Sequence, residues 1–174
     1  MILKLLYRGK SKMINLAAYP QIDSILDGEG IRTVIWFQGC KHNCYKCHNP
    51  QTHSFQKNIL MSVDEIVSFY LKQKLQTGIT LSGGDPFFQV DELLQLLQKL
   101  KQYNINIWVY TGFVYEYLIQ YYKKHLQYID VLVDGLYIDK LRNLSLAFRG
   151  SINQQLINVQ ESLKQNKIIE WSAE

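Results

Sequence analysis

The sequence lacks several features that would place a protein outside the ordinary globular class. Of its 174 residues only three are proline and three are cysteine, 20% are charged, and the net charge is +4. The Lys and Arg residues are scattered, so no basic patch predicts a nucleic-acid partner. No apolar run approaches the roughly 20 residues that a membrane-spanning helix needs. We therefore expect a cytoplasmic protein that binds neither nucleic acid nor membrane.

The beginning of the chain lacks the features of a signal peptide. The segment MILKLLYRGKSKM has neither a long apolar stretch nor a small-residue cleavage site. We expect residues 1–12 to form a loose N-terminal arm and Met13 to be a candidate start of the fold. The sequence shows no internal repeat, low-complexity tract or linker, so we expect a single domain over residues 1–174.

Cysteine is scarce, but its three copies lie within eight residues. Cys40, Cys44 and Cys47 have the spacing C-x3-C-x2-C. An odd number of cysteines in one loop argues against a disulfide framework. A four-iron cluster normally has four Cys ligands, so three would leave one iron open to a substrate. The alternative is a Cys3His zinc site, for which the nearby histidines are His42, His48 and His53.

The chain alternates between short apolar runs and segments of helical periodicity. The apolar runs predict buried strands over 33–37, 78–82, 105–110 and 129–134. The periodic segments predict helices over 62–76, 90–103 and 113–125. This order favours parallel strands covered by helices. Because a full eight-unit barrel needs roughly 250 residues, we expect an α/β fold, a partial (βα) barrel of about five or six mostly parallel strands with outer helices.

Local signals refine these elements. Ser62 and Glu65 form a capping box at the start of the first helix, and Gly78 is placed to cap its end in a left-handed conformation. The segment 155–159 suits a strand or a helix, and 167–171 is predicted as a final strand. The leucines predicted to face inward are Leu71, Leu75, Leu93, Leu94, Leu97 and Leu100.

Each predicted strand ends in a polar or glycine-bearing segment. These segments are the cysteine loop, SGGDP, TG and DG, in that order. The carboxyl ends of parallel strands share one edge, where α/β proteins build their sites. In SGGDP the two glycines would let the backbone approach a ligand closely, and Asp85 could accept a hydrogen bond from an ammonium group. The sequence therefore predicts a site at this edge.

The cysteine motif followed by Ser82-Gly83-Gly84-Asp85-Pro86 resembles the radical S-adenosylmethionine superfamily. The resemblance implies a [4Fe-4S] cluster on Cys40, Cys44 and Cys47, with S-adenosylmethionine bound at the fourth iron. One electron from the reduced cluster would then cleave the cofactor and release a 5′-deoxyadenosyl radical. The residues matching the adenine side are Lys46, Cys47 and His48. Those matching the segment at the methionine amino group are Ser82, Gly83, Gly84 and Asp85.

Further segments resemble the anaerobic (class III) ribonucleotide reductase-activating proteins within that superfamily. They are DGEGIRTVIWFQGC, CHNPQTHSF, WVYTGF, DVLVDG and FRGSINQQLI. The resemblance implies an enzyme that removes a hydrogen atom from a glycine Cα of the reductase large subunit and leaves a glycyl radical. The sequence does not name the electron donor, and we expect a reduced flavodoxin-like or ferredoxin-like protein.

Several residues have open roles. Asp27 could help to hold a monovalent cation, as an acid at this position does in related activating enzymes, or could lie in a solvated turn with Arg32. The other candidates for contact with cofactor or partner are Tyr110, Thr111, Asp134 and Arg149. Three alternative functions also remain open: an activase of another glycyl-radical enzyme such as pyruvate formate-lyase, a 7-deazaguanine-pathway synthase, and a Cys3His zinc-binding adaptor.

Overall fold

The strands form one sheet whose centre is parallel. The computed structural model describes residues 11–173, and within them eight strands pair with one another. In chain order these are β1 Met13–Leu16, β2 Gln21–Ser24, β3 Arg32–Phe37, β4 Ile59–Ser62, β5 Gly78–Gly83, β6 Ile107–Tyr110, β7 Val131–Asp134 and β8 Gln155–Asn158. The order across the sheet is β4-β1-β3-β5-β6-β7-β8, and β2 also pairs with β3.

The four central strands, β3, β5, β6 and β7, run parallel. The outer strands are antiparallel: β1 and β2 on β3, β4 on β1, and β8 on β7. The parallel strands are apolar along most of their length because both faces of the central sheet are covered. Consequently the cysteine loop, SGGDP, and the TG and DG segments all leave the sheet at the same edge.

Five α-helices connect or follow the strands within residues 11–173. They are α1 Val63–Leu71, α2 Val90–Lys101, α3 Tyr115–Tyr121, α4 Lys123–Leu126 and α5 Val159–Gln165. Their buried side chains join those of the strands in one main hydrophobic cluster. Among the described residues, none of the helices has the length and apolar character needed to cross a membrane.

All four predicted strands and a mixed α/β fold are confirmed, whereas the predicted strand number was too low. The additional strands are antiparallel, and three of them, β1, β2 and β4, lie before α1. The segment 155–159 is resolved into β8 followed by the first residue of α5. The strand predicted over 167–171 was wrong: the segment makes one isolated bridge, between Glu170 and Ile157.

The first helix has the predicted capping box but ends early. The side chain of Ser62 accepts from the backbone of Glu65, whose carboxylate accepts from the Ser62 backbone. The helix ends at Leu71, so the prediction that Leu71 and Leu75 face inward was wrong, and both are exposed. Beyond the helix, the backbone N–H of Thr77 donates to the carbonyl of Ile31, just before β3.

Gly78 is not a helix cap. It opens β5, and a Cβ at this position would lie 2.5 Å from Nη1 of Arg32. The glycine is therefore required by the close approach of a buried guanidinium. In the second helix Leu93, Leu97 and Leu100 are buried as predicted, while Leu94 is half-buried.

The predicted helix over 113–125 is split into α3 and α4. Tyr122 separates the two with non-helical backbone angles, φ −130° and ψ 28°. Of the predicted N-terminal arm, residues 1–10 lie outside the described residues. Its last residues, Ser11 and Lys12, contact the helices: the backbone N–H of Lys12 donates to the side chain of Gln95, and its ammonium pairs with Asp91 at 3.0 Å.

Candidate active site

A cavity of about 370 Å³ opens at the carboxyl ends of the parallel strands. Its volume falls within the range of roughly 300–1,000 Å³ typical of small-molecule sites. The three cysteines and the SGG segment share its wall. The lining residues that sequence reasoning had named are Asp27, Cys40, His42, Cys44, Cys47, His48, His53, Ser82, Gly83, Gly84, Tyr110 and Thr111.

The cysteine loop, residues 39–53, is closed at its base by two backbone hydrogen bonds. The N–H of Gly39 donates to the carbonyl of Thr52 at 2.7 Å, and the N–H of Cys40 donates to that of His53 at 3.2 Å. Inside the loop a turn brings the N–H of Cys47 to the carbonyl of Cys44 at 3.1 Å. These bonds fold a fifteen-residue segment back onto itself, so that all three thiols reach the same cavity.

The thiols are half-buried and free of disulfides. Burial raises the pKa of the Cys40 thiol to about 11 and also raises that of Cys44. Both thiols are therefore protonated at neutral pH in the metal-free protein. Binding iron or zinc would displace those protons, because thiolates are the metal ligands.

The arrangement fits an iron–sulfur cluster better than a single zinc ion. Among the described residues, no three His, Cys, Asp or Glu side chains converge on a point where one metal ion would bind. Tetrahedral zinc needs four ligands at about 2.0–2.3 Å from one centre. A four-iron cluster takes each cysteine on a different iron, so three thiolates spread around a cavity suit it.

The glycines of the SGGDP segment allow the end of β5 to approach β3 and the cysteine loop closely. Gly83 has φ +104°, and a Cβ there would lie 2.5 Å from the backbone nitrogen of Phe37. A Cβ on Gly84 would overlap the carbonyl oxygen of Gly39, and the N–H of Gly84 donates to the carbonyl of Phe37 at 2.8 Å. Close approach of the chain to itself thus accounts for both glycines, while their backbone still faces the cavity.

Asp85 lies behind the cavity wall. Its side chain is 1% exposed and accepts four hydrogen bonds. Oδ2 accepts from Nε2 of His42 at 2.8 Å, from Oγ1 of Thr111 at 2.9 Å and from the N–H of Gly112 at 2.9 Å. Oδ1 accepts from the N–H of Phe87 at 2.9 Å. The carboxylate thereby joins the cysteine loop to the ends of β5 and β6.

Lys46 and His48 point to the rim of the site. The Lys46 ammonium pairs with Asp139 at 3.0 Å and is largely exposed. The His48 ring packs against Tyr137, with ring centroids 4.9 Å apart. Together they connect the cysteine loop to the segment that follows β7, and His48 alone of the two lines the cavity.

The residues with open roles fall into three groups. Tyr110, Thr111 and Asp27 line the cavity. Arg32 and Asp134 are buried within the fold: Asp134 accepts from the backbone N–H groups of Tyr115 and Gln155, and burial raises its pKa. Arg149 donates to the carbonyl of Gln154 and lies outside the main cavity.

Sequence reasoning missed several residues of the wall. They are Trp36, Asn49, Gly112, Gly135, Tyr137, Gly150 and Gln154. Gly112 and Gly135 belong to the TG and DG segments, which the sequence had placed at this edge, although neither glycine was named there as a site residue. A second cavity, of about 420 Å³, shares Asp27, His48, Tyr110 and Gly150 with the first and extends toward residues 142–149.

Comparison with known proteins identifies the family. Residues 26–157 match a family model described as a 4Fe-4S single cluster domain. The chain is 36% identical over 149 residues to the anaerobic ribonucleoside-triphosphate reductase-activating protein of Haemophilus influenzae, covering 80% of this chain and 94% of that protein. It is 34% identical to the protein of the same name from Escherichia coli K12, covering 81% and 96%.

Among solved structures, QueE from Escherichia coli aligns with a TM-score of 0.49 and 15% identity over 57% of this chain and 52% of that one. The family model and the two relatives cover the cysteine motif, the SGGDP segment and most of the sheet. The chain therefore belongs to the anaerobic ribonucleoside-triphosphate reductase-activating protein family and carries its 4Fe-4S single cluster domain.

Proposed function

We propose that this protein is a radical S-adenosylmethionine enzyme that activates anaerobic ribonucleoside-triphosphate reductase by forming a glycyl radical on it. The observation that carries the proposal is the convergence of Cys40, Cys44 and Cys47 with the SGG backbone on one cavity. When bound, the [4Fe-4S] cluster supplies the electron that cleaves S-adenosylmethionine to the radical that takes a hydrogen atom from the glycine Cα.

The residues of this chain bind and orient the two cofactors. The thiolates of Cys40, Cys44 and Cys47 hold the cluster, and the absence of a fourth cysteine leaves one iron free for the methionine end of S-adenosylmethionine. The backbone of 82–84 faces the amino group of that methionine. Lys46 and His48, with Cys47 between them, border the adenine side. His48 and Tyr137 pack against each other in the cavity wall.

The reductase is the favoured target among glycyl-radical enzymes. The relatives from Haemophilus influenzae and Escherichia coli are named as reductase-activating proteins and match nearly their full length. An activase of pyruvate formate-lyase and a zinc-binding adaptor are therefore not favoured. The substrate is a glycine-bearing segment of the reductase, and it must enter the cavity for its Cα to meet the radical.

Three finer features belong to the same proposal. The electron donor is a reduced flavodoxin-like or ferredoxin-like protein, since the chain has no further cysteines to hold a second cluster. The protein works in the cytoplasm, where thiols stay reduced and available to iron. The parallel strands β3, β5, β6 and β7 form the wall of a partial (βα) barrel around the cofactors.

The test combines the reconstituted protein with S-adenosylmethionine, a reductant and the reductase under anaerobic conditions. We expect a glycyl-radical signal in the electron paramagnetic resonance spectrum of the reductase and release of 5′-deoxyadenosine in proportion to it. A matched reaction with pyruvate formate-lyase in place of the reductase controls for target choice. A radical formed on pyruvate formate-lyase alone would replace the proposed target with that enzyme.

A further inference from the structure

Asp85 is the acid of the SGGDP segment, yet its surroundings do not suit a ligand contact. Four donors from the chain lie 2.8–2.9 Å from the Asp85 oxygens, three of them on Oδ2 and one on Oδ1. The side chain is 1% exposed and is absent from the cavity wall. An ammonium group in the cavity could reach this carboxylate only if the wall that buries it moved.

The donor that connects Asp85 to the cluster site is His42. It lies between Cys40 and Cys44, 43 residues before Asp85 in sequence. Because an ionised carboxylate can only accept, Nε2 of His42 carries the proton in this hydrogen bond. His42 is the member of the cysteine loop whose side chain reaches this carboxylate, and the Asp85 backbone also bonds to the loop, since its N–H donates to the carbonyl of Gly39 at 3.0 Å.

The His42 ring is closely packed by its neighbours. It packs against Phe88 with ring centroids 5.3 Å apart and edge-on against Phe113 at 4.7 Å. Its side chain is 16% exposed. A Cβ on Gly112 would overlap the ring, so the glycine after Thr111 leaves the room that the imidazole fills. Three strand ends thus meet around one side chain of the cysteine loop.

We propose that Asp85 is a positioning residue, which fixes the cysteine loop through His42 and does not itself bind S-adenosylmethionine. The inference rests on the proposed function only in assuming that the loop holds a cluster. The His42–Asp85 hydrogen bond that anchors the loop is present in the chain itself. The His42–Asp85 hydrogen bond sets where Cys40 and Cys44 stand relative to the end of β5. The methionine amino group is left to the backbone of the SGG segment.

Three substitutions remove the anchor in different ways. His42→Phe keeps an aromatic ring beside Gly112 but loses the donor, and Asp85→Ala loses the acceptor. Gly112→Ala displaces the His42 ring from the carboxylate without changing either polar side chain. Asp85→Asn is the conservative rescue, since its amide oxygen can still accept from His42 although the charge is gone. Lys41→Ala is the control, because it alters the neighbouring exposed residue of the same loop.

The first measurement is backbone amide hydrogen exchange of the full-length, metal-free chain. The amides of Gly39, Cys40 and Cys47 are hydrogen-bonded within the loop and report its opening. We expect exchange about tenfold faster in His42→Phe, Asp85→Ala and Gly112→Ala, the effect of losing one such hydrogen bond. Asp85→Asn and Lys41→Ala should stay within about threefold of wild type. The amides of β6 show whether each variant is folded.

The second measurement is the affinity of the reconstituted proteins for S-adenosylmethionine, which should follow the same ranking. The double variant His42→Phe/Asp85→Ala should bind no more weakly than Asp85→Ala, because both changes remove the same interaction. Weaker binding in both Asp85 variants, with wild-type binding and loop exchange in His42→Phe and Gly112→Ala, would make Asp85 a direct ligand and overturn the proposal.

The two proposals fail separately. If wild-type protein holds no cluster, the proposed function is lost but the exchange comparison is unaffected. If loop exchange is unchanged in His42→Phe, the anchor is refuted whatever the protein activates. If Asp85→Ala does not fold, loop exchange and S-adenosylmethionine affinity in His42→Phe and Asp85→Asn still test whether Asp85 anchors the loop or binds the ligand.

Discussion

Arg32 and Asp85 are both buried charges, and they lie at opposite edges of the parallel strands. Arg32 is 2% exposed at the beginning of β3, and Asp85 is 1% exposed just beyond the end of β5. Each has its hydrogen-bonding groups satisfied by the chain, as buried charges must. The difference lies in the partners, and it separates the part of the molecule that maintains the sheet from the part that shapes the site.

The partners of Arg32 belong to the sheet and its connections. Its guanidinium donates five hydrogen bonds, which go to the side chains of Thr80 and Asn106 and to the carbonyls of Glu29, Ile79 and Asn106. It also lies 5.4 Å from the centre of the Trp108 ring. Burial lowers its pKa to about 10, so it stays charged at neutral pH. Arg32 therefore ties β3 to β5 and β6.

The partners of Asp85 include a loop that carries the cysteines. The Phe87 N–H donates to Asp85 within the same segment. That contact alone would indicate an acid that only stabilises a turn. Its bond to His42 instead extends to the cysteine loop, at the edge where the cavity opens. Burial of a charged side chain therefore does not reveal its role. The role follows from the elements that the side chain connects.

The largest expected effect is loss of activation when a cysteine of the loop is replaced. Cys44→Ala should abolish cluster assembly and activation, because the sequence has no spare thiol. Its thermal unfolding in the metal-free state should change little, since Cys44 is half-buried in a loop. Iron and sulfide analysis with calorimetry measures both. Full activation by this variant would show that the cysteines do not hold a cluster needed for activation.

The second-largest effect is a loss of stability when Arg32, at the opposite edge of the parallel strands, is replaced. Arg32→Met should lower the free energy of unfolding by about 2–4 kcal/mol, because several buried acceptors lose a charged donor. The surviving folded protein should bind S-adenosylmethionine like wild type. Chemical denaturation and ligand titration separate the two properties, with Lys12→Met as a surface control. A specific loss of ligand binding without loss of stability would contradict the structural role of Arg32.

A smaller effect is expected where the two cavities meet. The hydroxyl of the half-buried Tyr110 donates to the carbonyl of Phe148 at 2.8 Å, and desolvation raises the pKa of Tyr110 well above its ordinary value. Tyr110→Phe should cost about 1 kcal/mol of stability. It should also speed amide exchange over 142–150 more than over the cysteine loop. Equal exchange in both segments would show that Tyr110 does not hold the 142–150 segment.

The smallest effect is expected at the rim. Lys46→Met removes an ion pair with Asp139 in which the lysine is largely exposed, and such pairs contribute roughly 0–1 kcal/mol. We expect S-adenosylmethionine affinity within about threefold of wild type, because the apolar stem can still cover a ligand. Isothermal titration measures it. A loss of two orders of magnitude would assign Lys46 a direct contact with the ligand.

The sequence predicts the centre of the fold well because its signals there are local. Each parallel strand is a continuous apolar run, and the Ser62–Glu65 capping box marks its helix start without reference to any other part of the chain. The strands β1, β2 and β4 have four residues each, too few to show a clear period: burial alternates along β1, but in β2 only Ser24 is buried. Their existence depends on pairing with distant strands, which no local pattern encodes.

The site divides in the same way. The cysteines are recognisable from their spacing, and the SGG segment from its place after a strand. The environment of Asp85 depends on His42 and Thr111, which are 43 and 26 residues away in sequence. Gly78 was predicted from its distance to a helix, whereas its actual requirement comes from Arg32 on another strand. Contacts of this kind follow from the tertiary fold.

The most direct test of the central claim is the electron paramagnetic resonance spectrum of the anaerobically reconstituted, reduced protein with and without S-adenosylmethionine. We expect a [4Fe-4S]+ signal that changes shape when the ligand is added, as the open iron site is filled. Zinc bound by the three cysteines, with no cluster signal after proper reconstitution, would contradict it.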